Sequence, residues 1–127
     1  MGSYTGTTDA DPHTLIGMLY SGALERIAAA KGAMSSGDVA AKGLLISKAI
    51  AIIDGLRAHL DREQGGDLAN NLAALYDYAE NTLFQANLTN DSAKLDEVSV
   101  ILTNLYTGWE DIRQTVQDIN AAKQANE

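Results

Sequence analysis

The residues able to do chemistry are few, so their spacing is decisive. The chain has two histidines, His13 and His59, seventeen acidic residues and no cysteine. Without cysteine, disulfides, thiolate nucleophiles and sulfur-bound metals are excluded. A dinuclear metal site in a helical bundle needs Glu three residues before each histidine. Ala10 stands three before His13 and Leu56 three before His59, so the pattern fails at both. The run "DADPH" brings Asp9, Asp11 and His13 close enough for weak chelation, but Asp11 ahead of Pro12 is better explained as a helix cap.

His59 raises a second chemistry, phosphoryl transfer by an exposed histidine on a bundle. Its context is "RAHLDRE", where Asp61 and Glu63 would repel an incoming phosphoryl group. A half-exposed structural histidine is the stronger reading. "QGGD", Gln64 to Asp67, has neither the lysine nor the spacing of a phosphate loop. Asp54, Asp61 and Glu63 fall on outward helical positions, where carboxylates are ordinarily just solvated. These residues predict no catalytic centre, no cofactor and no metal, hence no enzyme.

A chain of 127 residues with a net charge of −8 fits one domain and lacks the basic footprint that nucleic acid or an anionic membrane requires. No apolar run approaches the roughly 20 residues that span a bilayer, so no membrane insertion is expected. The absence of cysteine suits a cytoplasmic protein. Residues 1–10 are small and polar and are expected to be flexible, with Met1-Gly2-Ser3 read as vector-derived.

The elements that must position any site are helices. Ile16, Tyr20, Ala23, Ile27, Ala30 and Met34 recur at spacings of four and three, predicting a helix over 12–35. "SSGD" ends it, with Gly37 as the left-handed terminator and Asp38 as the next cap. A second helix over 39–62 carries Leu45, Ala49, Ile52, Leu56 and Leu60, widened by Ile46, Ile50 and Ile53. Gly65-Gly66 breaks it and Asp67 caps a third helix over 68–88, striped by Leu68, Leu72, Leu75, Ala79, Leu83 and Ala86. After "LTND", where Asn90 or Asp91 caps, a fourth helix over 92–120 repeats Leu95, Val98, Leu102, Leu105, Trp109, Ile112, Val116 and Ile119. Residues 123–127 are expected to fray. Short connections force neighbours to alternate in direction, so the expected fold is all-α, an antiparallel up-down four-helix bundle.

Binding surfaces leave apolar or unusually small residues where a bundle needs only polar ones. Opposite its stripe the first helix carries Met18, Ser21, Glu25, Ala28 and Gly32, flanked by Gly17, Gly22 and Ala29. The second presents Leu44, Ser47, Ala51 and Ala58, flanked by Gly43 and Gly55. On the third, Phe84 and Leu88 form an i, i+4 apolar pair away from the stripe. Tyr78 lies on a flank and Tyr76 borders the core, where a ring can be buried while its hydroxyl stays wet. Asn71 and Asn87 lie on adjacent faces and are placed to bond an incoming backbone. With Tyr20 in "MLY", these positions are the candidate partner-binding set: Met18, Tyr20, Leu44, Asn71, Tyr76, Tyr78, Phe84, Asn87 and Leu88.

The segments "DPHTLIGMLYSGAL", "SGDVAAKGLLISKAIAII", "LANNLAALYDY" and "ANLTNDSAKLDEV", followed by Trp109, resemble the FliS family of flagellin export chaperones in order and spacing from Asp11 to Gln114. Asn81-Thr82 depart from it, replacing an often basic pair, and Tyr4 stands closer to the proline than the family's tyrosine. The resemblance implies a monomeric cytoplasmic bundle that binds the disordered C-terminal segment of flagellin. It also implies that binding prevents premature polymerisation and assists delivery to the flagellar type III export gate. The alternative from another class is a signalling or scaffolding bundle, either a phosphotransfer module at His59 or a self-associating adaptor.

Overall fold

The computed structural model describes residues 11–63 and 66–125, with the side chains at 61–63, 113, 116, 117, 120 and 125 outside that description. Residues 1–10, including Tyr4 and Asp9, and the side chains of Asp61 and Glu63 therefore lie outside the described residues. Four helices follow one another: α1 Pro12–Ser36, α2 Val39–Glu63, α3 Gly66–Thr89 and α4 Ser92–Ala125. Helix α4 continues past residue 120, and at about 1.5 Å per residue it is roughly 51 Å long against about 37 Å for the others.

Local chemistry sets the boundaries. The Asp11 side chain accepts from the Thr14 amide at 2.7 Å and Pro12 opens the helix, where its missing N–H is not needed. Gly37 takes φ 75° and donates to the Met34 carbonyl, while the Asp38 amide donates to Ala33 at 2.9 Å. Asp38 then caps α2 by accepting from the Ala41 amide at 3.1 Å. The same device recurs between α3 and α4 with different residues. Asn90 adopts φ 56°, the Asp91 amide donates to Ala86, and the Asp91 carboxylate accepts from the Ala93 amide. Thus Asn90 terminates α3 and Asp91 caps α4. Asp67, expected as a cap, stands inside the first turn of α3, where its charge meets the positive end of the helix dipole.

Each helix packs on two neighbours: α1 against α2 and α4, and α3 against α2 and α4. This closes an antiparallel ring, an up-down bundle. On α1 the buried residues are Ile16, Tyr20, Ala23, Ile27 and Ala30, the expected stripe apart from half-buried Met34. On α2 the buried line is Ile46, Ala49, Ile53, Leu56 and Leu60, the expected stripe at Ala49, Leu56 and Leu60 with its widening residues Ile46 and Ile53 in place of Leu45 and Ile52, which are half-buried. On α3 the expected stripe is buried at Ala79, Leu83 and Ala86, and Leu72 packs half-buried against the core. Tyr76 is buried instead of Leu75, and Leu68 is 63% exposed. The helix repeats every 3.6 residues, so a line of leucines drifts off the core side unless the neighbours follow it. Leu95, Val98 and Leu102 of α4 are fully buried, whereas Ile112 and Ile119 towards its C-terminal end are exposed. Among the described residues no helix is long and apolar enough to cross a membrane.

Candidate functional site

Met18, Leu44, Tyr78, Phe84 and Leu88 are exposed, as is Asn71, while Asn87 is half-buried. The fold distributes them over three seams. Asn87 of α3 faces Gly43 of α2, with its side-chain nitrogen 3.9 Å from where a Cβ would stand. Phe84 and Leu88 therefore flank the α2–α3 seam, and Leu44 stands next to Gly43 on the other side of it. Tyr78 belongs to the α3–α4 seam, where its hydroxyl donates to Glu97. Met18 lies on the α1–α4 seam, over a shallow groove of about 230 Å³ that Ser21, Gly22 and Glu110 also line.

Tyr20 and Tyr76 are inside. They are 4% and 3% exposed, and their hydroxyls bond each other at 2.8 Å. Tyr106 stacks on Tyr20 with ring centroids 5.9 Å apart. Burial pushes the Tyr20 phenol far up, reinforced by its bond to Tyr76; burial also raises Tyr76, opposed by the same bond. Neither tyrosine offers a ring to a surface partner. Both instead form part of the wall of a cavity of about 300 Å³, together with Leu72, His59, Gly108 and Trp109.

Three of the flanking glycines face other helices of the bundle. A Cβ at Gly17 would stand 3.1 Å from Glu110 Oε1, one at Gly22 3.6 Å from Ile52, and one at Gly55 3.8 Å from Leu19. Only the Gly17 contact is tighter than ordinary packing; at Gly22 and Gly55 an added methyl would make ordinary van der Waals contact, so the neighbouring helices do not require glycine there. Gly32 and Gly108 differ, for a Cβ at either would meet nothing within 4 Å.

Several polar contacts escape a reading of the sequence because their partners are far apart along the chain. His13 Nε2 donates to the Trp109 carbonyl at 2.9 Å, the Trp109 indole donates to the His13 carbonyl at 2.8 Å, and the rings stack 4.1 Å apart. His13 is thus a clasp between the start of α1 and α4. Lys42 is buried, and its ammonium donates to the Asn87 carbonyl and to Asn90 Oδ1, stoppering the C-terminal end of α3 where the dipole favours a cation. Arg57 of α2 pairs with Asp54, Asp77 and Glu80. Desolvation and sharing a proton with Asp54 push the Glu80 carboxyl up to about 7, against the pull of Arg57. Glu80 Oε2 lies 3.1 Å from Arg57 Nη2 without an aligned hydrogen bond. His59 is half-buried beside Leu56 and Leu60 at the cavity wall. Among the described residues, no three His, Asp or Glu side chains gather as metal ligands would.

A family model described as flagellar protein FliS matches residues 2–116. The chain is similar to flagellar secretion chaperone FliSB of Pseudomonas aeruginosa, 51% identical over 105 residues, which cover 83% of each chain. It is 49% identical over 104 residues to flagellar secretion chaperone FliS of Salmonella typhimurium, covering 81% of this chain and 77% of that one. The FliS of Bacillus subtilis is 35% identical over 108 residues, covering 85% of this chain and 77% of the relative.

Proposed function

The chain belongs to the FliS family, and from that premise we propose that it is a flagellar secretion chaperone whose client is flagellin. In this reading it works in the cytoplasm, as a monomer, on the disordered C-terminal segment of flagellin. It carries out no reaction of its own. It covers the amphipathic stripe that would otherwise drive premature polymerisation, and it brings the client to the export gate. The observation that supports this most is the pair Phe84 and Leu88, 55% and 65% exposed on a helix whose inner side is already filled by Tyr76, Ala79, Leu83 and Ala86. Leu44, 58% exposed across the seam, extends the apolar strip onto α2.

A disordered segment that folds on such a strip buries on the order of 1,000 to 3,000 Å² and loses a few kcal/mol to ordering. Contacts spread over many shallow positions leave the complex reversible, as delivery demands. Asn71, Asn87 and Tyr78 lie close enough to the seams to bond a client backbone, while Met18 offers a further contact on the α1–α4 side. On that strip Tyr20 and Tyr76 make no contact of their own; they hold the helices that carry these residues.

Calorimetry with the C-terminal peptide of a cognate flagellin tests the reading. Binding with a large negative heat-capacity change and a gain of helix is expected. Phe84→Glu should weaken it at least about tenfold, as a hot-spot loss of about 1.4 kcal/mol or more implies, with the circular dichroism of the free bundle unchanged. No heat up to high micromolar peptide would sink the proposal. Light scattering of the free protein, and mass spectrometry at His59 after incubation with a small phosphodonor, report on the adaptor and phosphotransfer alternatives.

A further inference from the structure

The cavity between the helices at the end where α1 begins holds more than apolar packing space. Two phenols carry two O–H donors, and one bond of 2.8 Å between Tyr20 and Tyr76 uses a single proton. Among the described residues no acceptor takes the second. Both tyrosines are more than nine-tenths buried and both stand at the cavity wall. A phenol proton rotates about its C–O bond, and the cavity is the open direction. A buried donor without a protein acceptor is costly, so a group that enters the cavity is selected for supplying one.

The other walls define the rest of the ligand. Leu72, Trp109 and their neighbours make the lining mainly apolar, with the Asn104 amide and His59 its polar groups besides the tyrosines among the described residues. No carboxylate, lysine or arginine among the described residues lines it to stabilise a charge. The cavity measures about 300 Å³, roughly twice the ~150 Å³ apolar cavity that takes up benzene. We propose that it is a binding site for a neutral, ring-sized apolar group that carries one hydrogen-bond acceptor. The site stands apart from the exposed Phe84 and Leu88 strip and does not depend on the client reading.

Trp109 is the single tryptophan of the chain and lines the cavity, so its fluorescence reports occupancy directly. Acetophenone and ethylbenzene have nearly the same shape, and only the ketone supplies an acceptor. Acetophenone should quench Trp109 saturably and bind about tenfold more tightly than ethylbenzene, measured by calorimetry, because only it satisfies the second phenol. Tyr20→Phe combined with Tyr76→Phe should bring the two affinities within about twofold of each other. Gly108→Leu fills the mouth with a side chain whose Cβ meets nothing within 4 Å, and leucine favours the helix more than glycine does. That variant should keep its helical circular dichroism and lose at least about tenfold in acetophenone affinity. Unsaturable quenching, equal affinity of the two probes for the unaltered protein, or unchanged binding in Gly108→Leu would each overturn the proposal. A flagellin C-terminal peptide added to the loaded protein then distinguishes the source of the group. Displacement of acetophenone assigns it to a protein segment, and retention assigns it to a free small molecule; both outcomes keep the site.

Discussion

The two ends of this bundle are built from the same kind of amphipathic helix, yet at one the helices close on alanines at their contacts and at the other aromatic rings leave open space between them. At the end where α1 turns into α2 and α3 into α4, the contact residues include Ala30, Ala49 and Ala86, with Leu95 and Val98 fully buried among them. Alanine at a contact lets helix axes approach, and larger side chains hold them apart. At the other end the contacts are made by Tyr20, Tyr76 and Trp109, and a cavity of about 300 Å³ remains between the helices. Leu68 and Ile112 are exposed beside it. The alanine end is not without space, for a cleft of about 270 Å³ lies beside its turns, lined by Met34, Gly37, Lys42 and Asn90. The lesson is that residue volume at the contact, as well as the period of the stripe, sets where space remains between helices.

The contrast is broken most directly in the core. Leu83→Ala, at a fully buried position on the line leading into the closed end, should cost about 2 to 5 kcal/mol by urea unfolding, because a packed site can relax only partly around the missing atoms. Leu68→Ala, at the open end, should change stability by about 0.5 kcal/mol or less. Equal losses would mean that the open end is packed as firmly as the closed one.

The polar latches sharpen the same contrast. Lys42→Met at the closed end keeps the stem but leaves the Asn87 carbonyl and Asn90 Oδ1 without their donor, a loss of about 1 to 3 kcal/mol. His13→Ala at the open end removes one hydrogen bond and one ring stack, yet the indole still donates to the main-chain carbonyl of residue 13. A loss of about 1 kcal/mol is expected. Fluorescence of Trp109 should shift to the red as water reaches the ring. A larger effect at His13 than at Lys42 would place the weaker latch at the wrong end.

The four helices and most of their caps were legible because each depends on residues close together. Asp11-Pro12, Gly37-Asp38 and Asn90-Asp91 announce their turns within two or three positions. The exposed pair Phe84 and Leu88 was legible for the same reason. The buried tyrosines were harder. Tyr20 sits on the predicted stripe and Tyr76 beside it, but that their hydroxyls meet across 56 residues depends on the rotation of α3 about its axis. That rotation is fixed by what α2 and α4 present to it. The same limit hid the His13–Trp109 clasp and the neighbours of Gly17, Gly22 and Gly55, which lie on other helices. Volumes left between helices have no local signature at all, which is why the cavity could not be anticipated.

Glu80 gives the smallest expected effect and lies on the α2–α3 seam between the two ends. Arg57 serves three carboxylates there, and Asp54 and Asp77 are the more exposed pair. One guanidinium cannot neutralise all three, so the most buried carboxyl, Glu80, is the one held protonated up to about pH 7. Its folded pKa exceeds its ordinary value of 4.5, so the folded state binds the proton more tightly than the unfolded chain. The stabilisation is then fully present below about pH 4.5 and is lost as pH rises through about 7. Glu80→Gln, which keeps the shape and cannot ionise, should remove that loss. Solvent screening of this partly exposed cluster limits the gain to about 1 kcal/mol or less at pH 8. Urea midpoints at pH 5 and pH 8 check it: the unaltered protein should weaken between them more than the variant. A variant that is weaker at pH 8 than at pH 5 by more than the unaltered protein would mean that ionised Glu80 is the better partner of Arg57, and that the ion pair outweighs desolvation on this seam.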